Sequence, residues 1–293
     1  MHETDKSNIR TVRHKFLAGH FLLFGLIISP GISSSGLMAQ GNLLITPRRV
    51  VFEGSKKNEE LNLANTGSDT ATFNVSIVQY RMREDGTFED IKVPDPGQNF
   101  ADKNIRFFPR TVTLAPNESQ VVKMQLFRTS ELAPGEYRSH IYFRAVPKAT
   151  ALGADEAAQD TTTLSVKLIP IFGIVIPVII RVGENNTKVT LSDLKFEMVK
   201  DTIPRLNLSF NRIGNMSVYG DIDVFYIPTT GRGTQVGTLR GVAVYTPNPM
   251  RRIRMDLNKG EGIDYHQGKL QVTYSAQAED KKSRYAEAEL ELK

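Results

Sequence analysis

Residues with the potential for catalysis or metal binding are few and far apart in this chain. Its 293 residues include five histidines and no cysteine. His2, His14 and His20 fall within the first 39 residues, whereas His140 and His266 lie far from one another in the remainder. Protein zinc sites use about three or four ligands, chiefly His and Cys, and a cysteine nucleophile is excluded outright. We therefore expect no metal, no cofactor and no enzyme activity.

Signals for nucleotide or nucleic-acid chemistry are equally weak. The segment Gly-Arg-Gly-Thr at 231–234 lacks the preceding strand and following helix of a phosphate-binding loop. No Gly-x-Ser-x-Gly nucleophile motif occurs. The 37 Lys and Arg exceed the 32 Asp and Glu by a net charge of +5, which is spread along the chain. A diffuse excess of this size does not indicate a nucleic-acid partner, and we expect no nucleotide either.

The N-terminal segment has the order of a secretory signal peptide. A basic stretch ending at Lys15 precedes a mostly apolar run at 16–29, and a Pro-, Gly- and Ser-rich stretch then leads to Ala39. We predict cleavage after Ala39, so that residues 1–39 direct secretion and are then removed. The alternative is an uncleaved membrane anchor, although the run is shorter than the ~20 apolar residues that span a bilayer.

Apolar residues alternate with polar ones through most of the remaining chain. Such short period-two runs occur at 61–63, 73–77, 122–126 and 137–143, and they continue from 194 to 292. Turn signals separate them, among them Asp85-Gly86. The pattern predicts an all-β protein of two immunoglobulin-like β-sandwich domains in tandem. We place the first domain at 40–184 and the second at 185–293, because 183–187 is a short polar link.

One predicted strand, at 164–181, is unusually apolar. Every even-numbered position from 164 to 180 is apolar, and only 13 uncharged residues separate Lys167 from Arg181, too few for a membrane helix. Pro170 and Pro177 have no backbone N–H to donate and so favour an edge strand or a bulge. A long apolar edge is normally an aggregation hazard. Two interpretations stay open: the strand is covered by its own chain, or a partner pairs with it.

The sequence resembles the periplasmic pilus-assembly chaperones of the chaperone–usher family over about 45–182. Arg-Arg-Val-Val-Phe-Glu-Gly at 48–54, followed by a strand ending in Asn65, is similar to the opening of that family. The segments 107–116 and 132–147 are similar to its later signature strands, although Asn117 stands where the family usually has glycine. Residues 164–181 then fall where the family has its donor strand.

This resemblance implies donor-strand complementation. In the family, a chaperone lends alternate apolar side chains of an edge strand to a pilus or fimbrial subunit and keeps it unpolymerised until it reaches an outer-membrane usher. It implies a periplasmic location, no cofactor, and a partner that is a subunit protein. The donor side chains on this chain would be Val166, Leu168, Pro170, Phe172 and Ile174.

The family also anchors the carboxyl end of the subunit with an arginine on the first strand and a lysine on the donor strand. Arg49 matches the arginine, but Pro177 occupies the lysine position. Either Arg49 therefore binds the carboxylate alone, or Arg48 or Arg181 assists it, or the partner docks differently. The rival function is a secreted immunoglobulin-like structural or adhesive component of a cell-envelope assembly that uses the same edge permanently.

Overall fold

The alternating segments of the first half form strands in the computed structural model, which describes residues 43–147, 171–260, 262–277 and 283–293. The strands of the first sandwich are β1 (Leu43–Thr46), β2 (Val50–Phe52), β3 (Asn58–Asn65), β4 (Ala71–Val78), β5 (Tyr80–Met82), β6 (Phe88–Asp90), β7 (Ile105–Phe108), β8 (Thr111–Leu114), β9 (Ser119–Leu126), β10 (Gly135–Ala145) and β11 (Gly173–Val182). Two short 3₁₀ turns, Asp102–Asn104 and Thr129–Glu131, interrupt them.

Two sheets of this half face each other across an apolar core. One has the strand order β1-β3-β9-β7 and the other β2-β11-β10-β4-β8. Alternate residues of each strand point inward, so that Leu61 and Met124 of the first sheet pack against Phe143 and Ile176 of the second. Period two therefore produces one buried face per strand.

The first strand segment changes sheets. β1 pairs antiparallel with β3, and the chain then passes through Pro47 so that β2 pairs parallel with β11 in the facing sheet. The β2 ladder is short and joins Val50 to Val178 and Phe52 to Ile180. This switch fixes how much of the β11 edge is occupied.

The second half forms another sandwich. Its strands are β12 (Lys188–Val199), β13 (Ile203–Ile213), β14 (Val218–Ile227), β15 (Thr234–Val244), β16 (Met250–Asp256), β17 (Lys269–Ala276) and β18 (Arg284–Glu291). They form sheets of order β12-β13-β16 and β15-β14-β17-β18. Phe210 of the first sheet meets Tyr274 of the second edge to face, with ring centroids 4.9 Å apart.

The prediction of an all-β chain with two β-sandwiches in tandem is confirmed. The buried core of the first ends at Ile180 and that of the second begins at Val189, while the division at 184 and 185 stays a prediction. The expected signal peptide and its cleavage after Ala39 lie outside the described residues. No helix among the residues described is long and apolar enough to cross a membrane.

Candidate functional site: a strand edge and the cleft beside it

Within the described ranges, half of one edge of β11 has no strand paired with it. Along its other edge β11 pairs with β10 throughout, from Gly173 opposite Arg144 to Val182 opposite Gly135. On the free side β2 covers only Val178–Ile180, and no strand of the described chain lies beside 173–177. Backbone donors and acceptors along such an edge are available to another chain. The available stretch ends where β2 begins.

The inward face of β11 explains its even-numbered apolar residues. Ile176 and Ile180 lie in the core of the first sandwich, and Ile174 is half-buried against the same core. Phe172, one step further along the alternation, is 53 % exposed. Of the predicted donor side chains, Phe172 is therefore exposed at the end of the sandwich and Ile174 packs against its core, whereas Val166, Leu168 and Pro170 lie outside the described residues.

The outward face of β11 looks toward the second sandwich. Ile179 is fully buried in a small cluster with Met82, Ala243 and Tyr245. Val175 and Pro177, nearer the free end, line an open cavity of about 460 Å³. The odd-numbered positions are thus apolar because the second sandwich and the β5–β6 hairpin cover this face, which sequence alternation alone does not reveal.

Arg49 stands where β2 starts to occupy the β11 edge. Its Nη1 donates to the hydroxyl of Tyr245 at 3.4 Å, and its guanidinium carbon lies 4.4 Å from the ring centroid of Tyr219. No carboxylate of the described chain forms an ion pair with it. Aromatic faces hold a guanidinium without neutralising its charge. Arg49 is therefore a positioned cation at the end of the open edge.

A second guanidinium, that of Arg138, packs against the Tyr245 ring. The Arg138 guanidinium carbon lies 4.3 Å from the Tyr245 ring centroid, and Arg138 Nη2 donates to the Thr246 carbonyl at 3.1 Å. Arg138 is only 2 % exposed, and its Nε and Nη1 have no partner among the described residues. Burial lowers the pKa of the Arg138 guanidinium and raises the pKa of the Tyr245 hydroxyl, which stays protonated.

The other two arginines considered from the sequence occupy different settings. Arg48 is exposed. Arg181 Nη1 lies 3.5 Å from Glu53 Oε2, and Arg181 Nε lies 3.4 Å from Glu136 Oε2. Its Nη2 donates to the Ser217 carbonyl at 2.9 Å. Two carboxylates already balance Arg181, so its geometry is that of a link between the sandwiches. Of the three candidate anchors, Arg49 is the one that has no ion-pair partner among the described residues.

Glu136 is the other part of this link between the sandwiches, and sequence reasoning did not identify it. Its buried carboxylate accepts the Ser217 N–H at 2.9 Å and the Ser217 hydroxyl, and the Thr246 hydroxyl lies 3.4 Å away. The signal lay in β10, where Glu136, Arg138 and His140 share the face opposite the core residues Ile141 and Phe143. Three polar residues in period two on a mostly buried strand indicate a second buried interface.

The β5–β6 hairpin reaches the second sandwich. Its turn carries Gly86 at φ +85°, a conformation that glycine adopts without strain. Asn248 Nδ2 donates to the Met82 carbonyl at 2.6 Å, and the Arg252 N–H donates to the Glu84 carbonyl at 2.6 Å. The hairpin therefore closes one side of the cleft that begins at the β11 edge.

These features define a class of protein: two β-sandwiches with an open strand edge that ends at an unneutralised cation in the cleft between them. Within the described ranges, no group of three or more His, Cys, Asp or Glu residues is placed to hold a metal ion. The site is suited to binding an extended chain.

Comparison with known proteins gives a distant structural likeness. No family model and no curated protein matches the chain. The chaperone YadV is 13 % identical with a TM-score of 0.42 over 85 % of this chain and 99 % of that one. The E. coli chaperone DraB is 14 % identical with a TM-score of 0.41, covering 87 % and 98 %. A third similar structure is the chaperone–tip adhesion subunit complex CsuC–CsuE from the Csu pili of Acinetobacter baumannii. Its matched chain is 11 % identical with a TM-score of 0.40, over 84 % of this chain and 97 % of that one.

Proposed function

We propose that this protein is a periplasmic chaperone that binds a pilus or fimbrial subunit by donor-strand complementation, before handover to an outer-membrane usher. The observation that carries the proposal is the open half of the β11 edge, 173–177, which ends at Arg49. An extended segment of the partner pairs with this edge through its backbone, and alternate side chains supply the specificity. The protein performs no chemistry on its partner and uses no cofactor.

The geometry favours one direction for the partner strand. Beyond Pro177 the edge is occupied by β2, so a strand added beside 173–177 must stop near Val50. A strand parallel to β11 would bring its terminal carboxylate to Arg49, whereas an antiparallel strand would bring a terminal ammonium or a continuing chain. Because Arg49 is positive and has no ion-pair partner in the described chain, the carboxyl end is favoured.

The apolar even-numbered residues supply the second part of the binding. Phe172 offers an exposed apolar side chain to a partner that lacks a strand of its own. The alternation continues in the sequence through Pro170, Leu168 and Val166, while Ile174 packs against the core at the inner end of the series. Full burial of one such large side chain contributes about 1.5–3 kcal/mol. The periplasmic location belongs to the same proposal and agrees with the secretory signal peptide that the sequence predicts at 1–39.

Co-expression with a candidate subunit tests the proposal. Phe172→Asp should lower the recovered soluble subunit severalfold, because it places a charge among the donor side chains. Phe108→Asp is the matched control, because Phe108 is 75 % exposed on β7 of the other sheet. Equal subunit recovery with both variants would contradict donor-strand complementation. Under the rival function, this protein would be a permanent structural component and would stay in the assembled surface appendage. Fractionation of surface appendages would then recover it together with the subunits.

A further inference from the structure

Arg251 of β16 lines the cavity of about 460 Å³ and has no carboxylate paired with it in the described chain. Its guanidinium packs against Gly86 in the β5–β6 turn, and its Nη1 donates to the Ala243 carbonyl at 2.5 Å. The buried Nε has no partner among the residues described. The nearby Asp85 carboxylate accepts its hydrogen bonds from Thr87 instead. Burial lowers the pKa of the Arg251 guanidinium, so its charge is only partly compensated.

Two further guanidiniums pack against the Tyr245 ring, which also lines this cavity. The guanidinium carbon of Arg138 lies 4.3 Å from the ring centroid and that of Arg49 lies 5.7 Å from it. The Glu136 carboxylate acts on Arg138 electrostatically, but its hydrogen bonds go to Ser217. Three cations without an ion pair in the described part of the chain therefore lie at or next to one partly enclosed space, where charges are screened less than in bulk water.

The remaining walls of the cavity are aromatic and apolar. The Phe88 ring lies 5.9 Å from the His140 ring and 6.2 Å from the Tyr245 ring, centroid to centroid. Val175 and Pro177 of β11 complete this lining. Aromatic rings interact favourably at such spacings, and a further ring can join them. The volume of about 460 Å³ falls within the range of about 300–1,000 Å³ that is typical of small-molecule sites.

His140 gives the cavity a polar group without a charge. It is only 4 % exposed, and its buried Nδ1 has no partner in the described part of the chain. Burial, with help from Arg138, lowers the pKa of His140 to about 3, so the imidazole is neutral. An aromatic enclosure alone would favour a cation as its ligand. Here the guanidiniums of Arg49, Arg138 and Arg251 repel a cation and attract an anion.

We propose that this cavity binds a small aromatic carboxylate. The ring of the ligand lies among Phe88, His140 and Tyr245, and its carboxylate accepts hydrogen bonds from the Arg251 guanidinium, whose planar donors match a carboxylate in shape and charge. The ligand is a free small molecule and not the end of a partner chain, because Arg251 belongs to the second sandwich and is a different cation from Arg49. The site is therefore independent of the proposed chaperone function.

Three naphthalene derivatives of similar shape test the preference for an anion. Naphthoate is negatively charged, naphthamide is neutral and naphthylmethylammonium is positively charged. In isothermal titration calorimetry with the protein, naphthoate should bind about tenfold or more tightly than naphthamide, and naphthylmethylammonium should bind most weakly. Acetate, which has the charge without the ring, should bind about tenfold or more weakly than naphthoate.

Variants of the protein locate the bound carboxylate and ring. Arg251→Met removes the charge and should reduce the naphthoate-to-naphthamide ratio to about twofold or less, whereas Arg251→Lys, which keeps a charge, should retain part of it. Arg254→Met is the matched control, because Arg254 is exposed on the same strand, and it should leave the ratio unchanged. Phe88→Ala should weaken both ligands by about fivefold or more. Circular dichroism of each variant verifies that the fold is kept.

Several results would overturn the site. Equal affinities for naphthoate and naphthamide, or binding of neither, would do so. A naphthoate preference that survives in Arg251→Met, or that Arg49→Ala removes in its place, would contradict the role of Arg251. Phe172→Asp, which is expected to impair subunit recovery, should leave the affinity for naphthoate unchanged, because Phe172 precedes the strand and does not line the cavity. A failure of the chaperone proposal and a failure of this site are therefore distinguishable.

Discussion

Replacing Arg49 by Ala is the substitution from which most can be learned. The guanidinium is held over the Tyr219 ring, at 4.4 Å from its centroid, and against the Tyr245 hydroxyl, at 3.4 Å. It is therefore positioned before the partner arrives, and little side-chain entropy remains to be lost on binding. The substitution should weaken binding of a partner with a free carboxyl end and leave the fold intact, because Arg49 is only half-buried.

The loss of binding free energy expected for Arg49→Ala follows from the surroundings of the guanidinium. At about 4 Å and an effective dielectric constant of about 20, two unit charges attract by roughly 4 kcal/mol, and desolvation of both groups opposes this. Hydrogen bonds to charged groups contribute about 1.5–3 kcal/mol net. We therefore expect Arg49→Ala to cost about 2 kcal/mol, which is roughly a 30-fold weaker affinity. Arg48→Ala, at an exposed neighbouring position, should change it by about twofold or less.

A double-mutant cycle isolates the contact. An acetylated peptide of alternating Val and Thr residues is titrated, as the free acid and as the amide, into the wild type, Arg49→Ala and Arg48→Ala. Amidation should cost about 2 kcal/mol in the wild type and in Arg48→Ala but little in Arg49→Ala. If amidation has the same effect in all three proteins, Arg49 does not bind the carboxylate and the direction argued for the partner strand is wrong.

Two further predictions concern the coupling of the sandwiches and the response to acid. Glu136→Gln should lower the free energy of unfolding by about 2–4 kcal/mol, because it removes the buried carboxylate that pairs with Arg181. Urea titration measures this loss. A loss below about 0.5 kcal/mol would contradict the importance of the Glu136–Arg181 link between the sandwiches. The folded-state pKa of His140, at about 3, lies below its ordinary value of 6.5, so the unfolded chain takes up a proton that the folded chain excludes. Stability should therefore fall as the pH is lowered through this window, by about 2 kcal/mol between pH 7 and pH 5 from His140 alone. In urea titrations His140→Gln should lose this part of the pH dependence and His266→Gln, at an exposed histidine, should keep it; identical pH dependence in both variants would refute the assignment.

The strands with one buried face were predictable from sequence. β3, β9 and β10 fold as expected because alternation at 61–63, 122–126 and 137–143 reports which side chains enter the core. The apolar composition and the prolines predicted an edge strand at 164–181; the described strand is Gly173–Val182, and pairing of its edge with a partner stays a prediction. Local pattern sufficed in these cases because one facing sheet buries the alternating apolar face of each strand.

The cleft was less predictable because its parts are distant in sequence. Arg49 was identified through the family resemblance, but its partner Tyr245 lies 196 residues away. The odd-numbered apolar residues of β11 gave no hint of what covers them, since the β5–β6 hairpin and the second sandwich do so together. Arg181 was considered an anchor from its position alone, and only the structure places two carboxylates beside it.

Hydrogen exchange along β11 tests strand addition most directly. Amide exchange of the segments 172–176 and 178–182 would be followed by mass spectrometry with and without a bound subunit. Protection should increase in 172–176, where the edge is open, and change little at 178–180, where β2 already pairs. Unchanged exchange at 172–176 in a complex shown to be intact would contradict pairing of the partner with this edge.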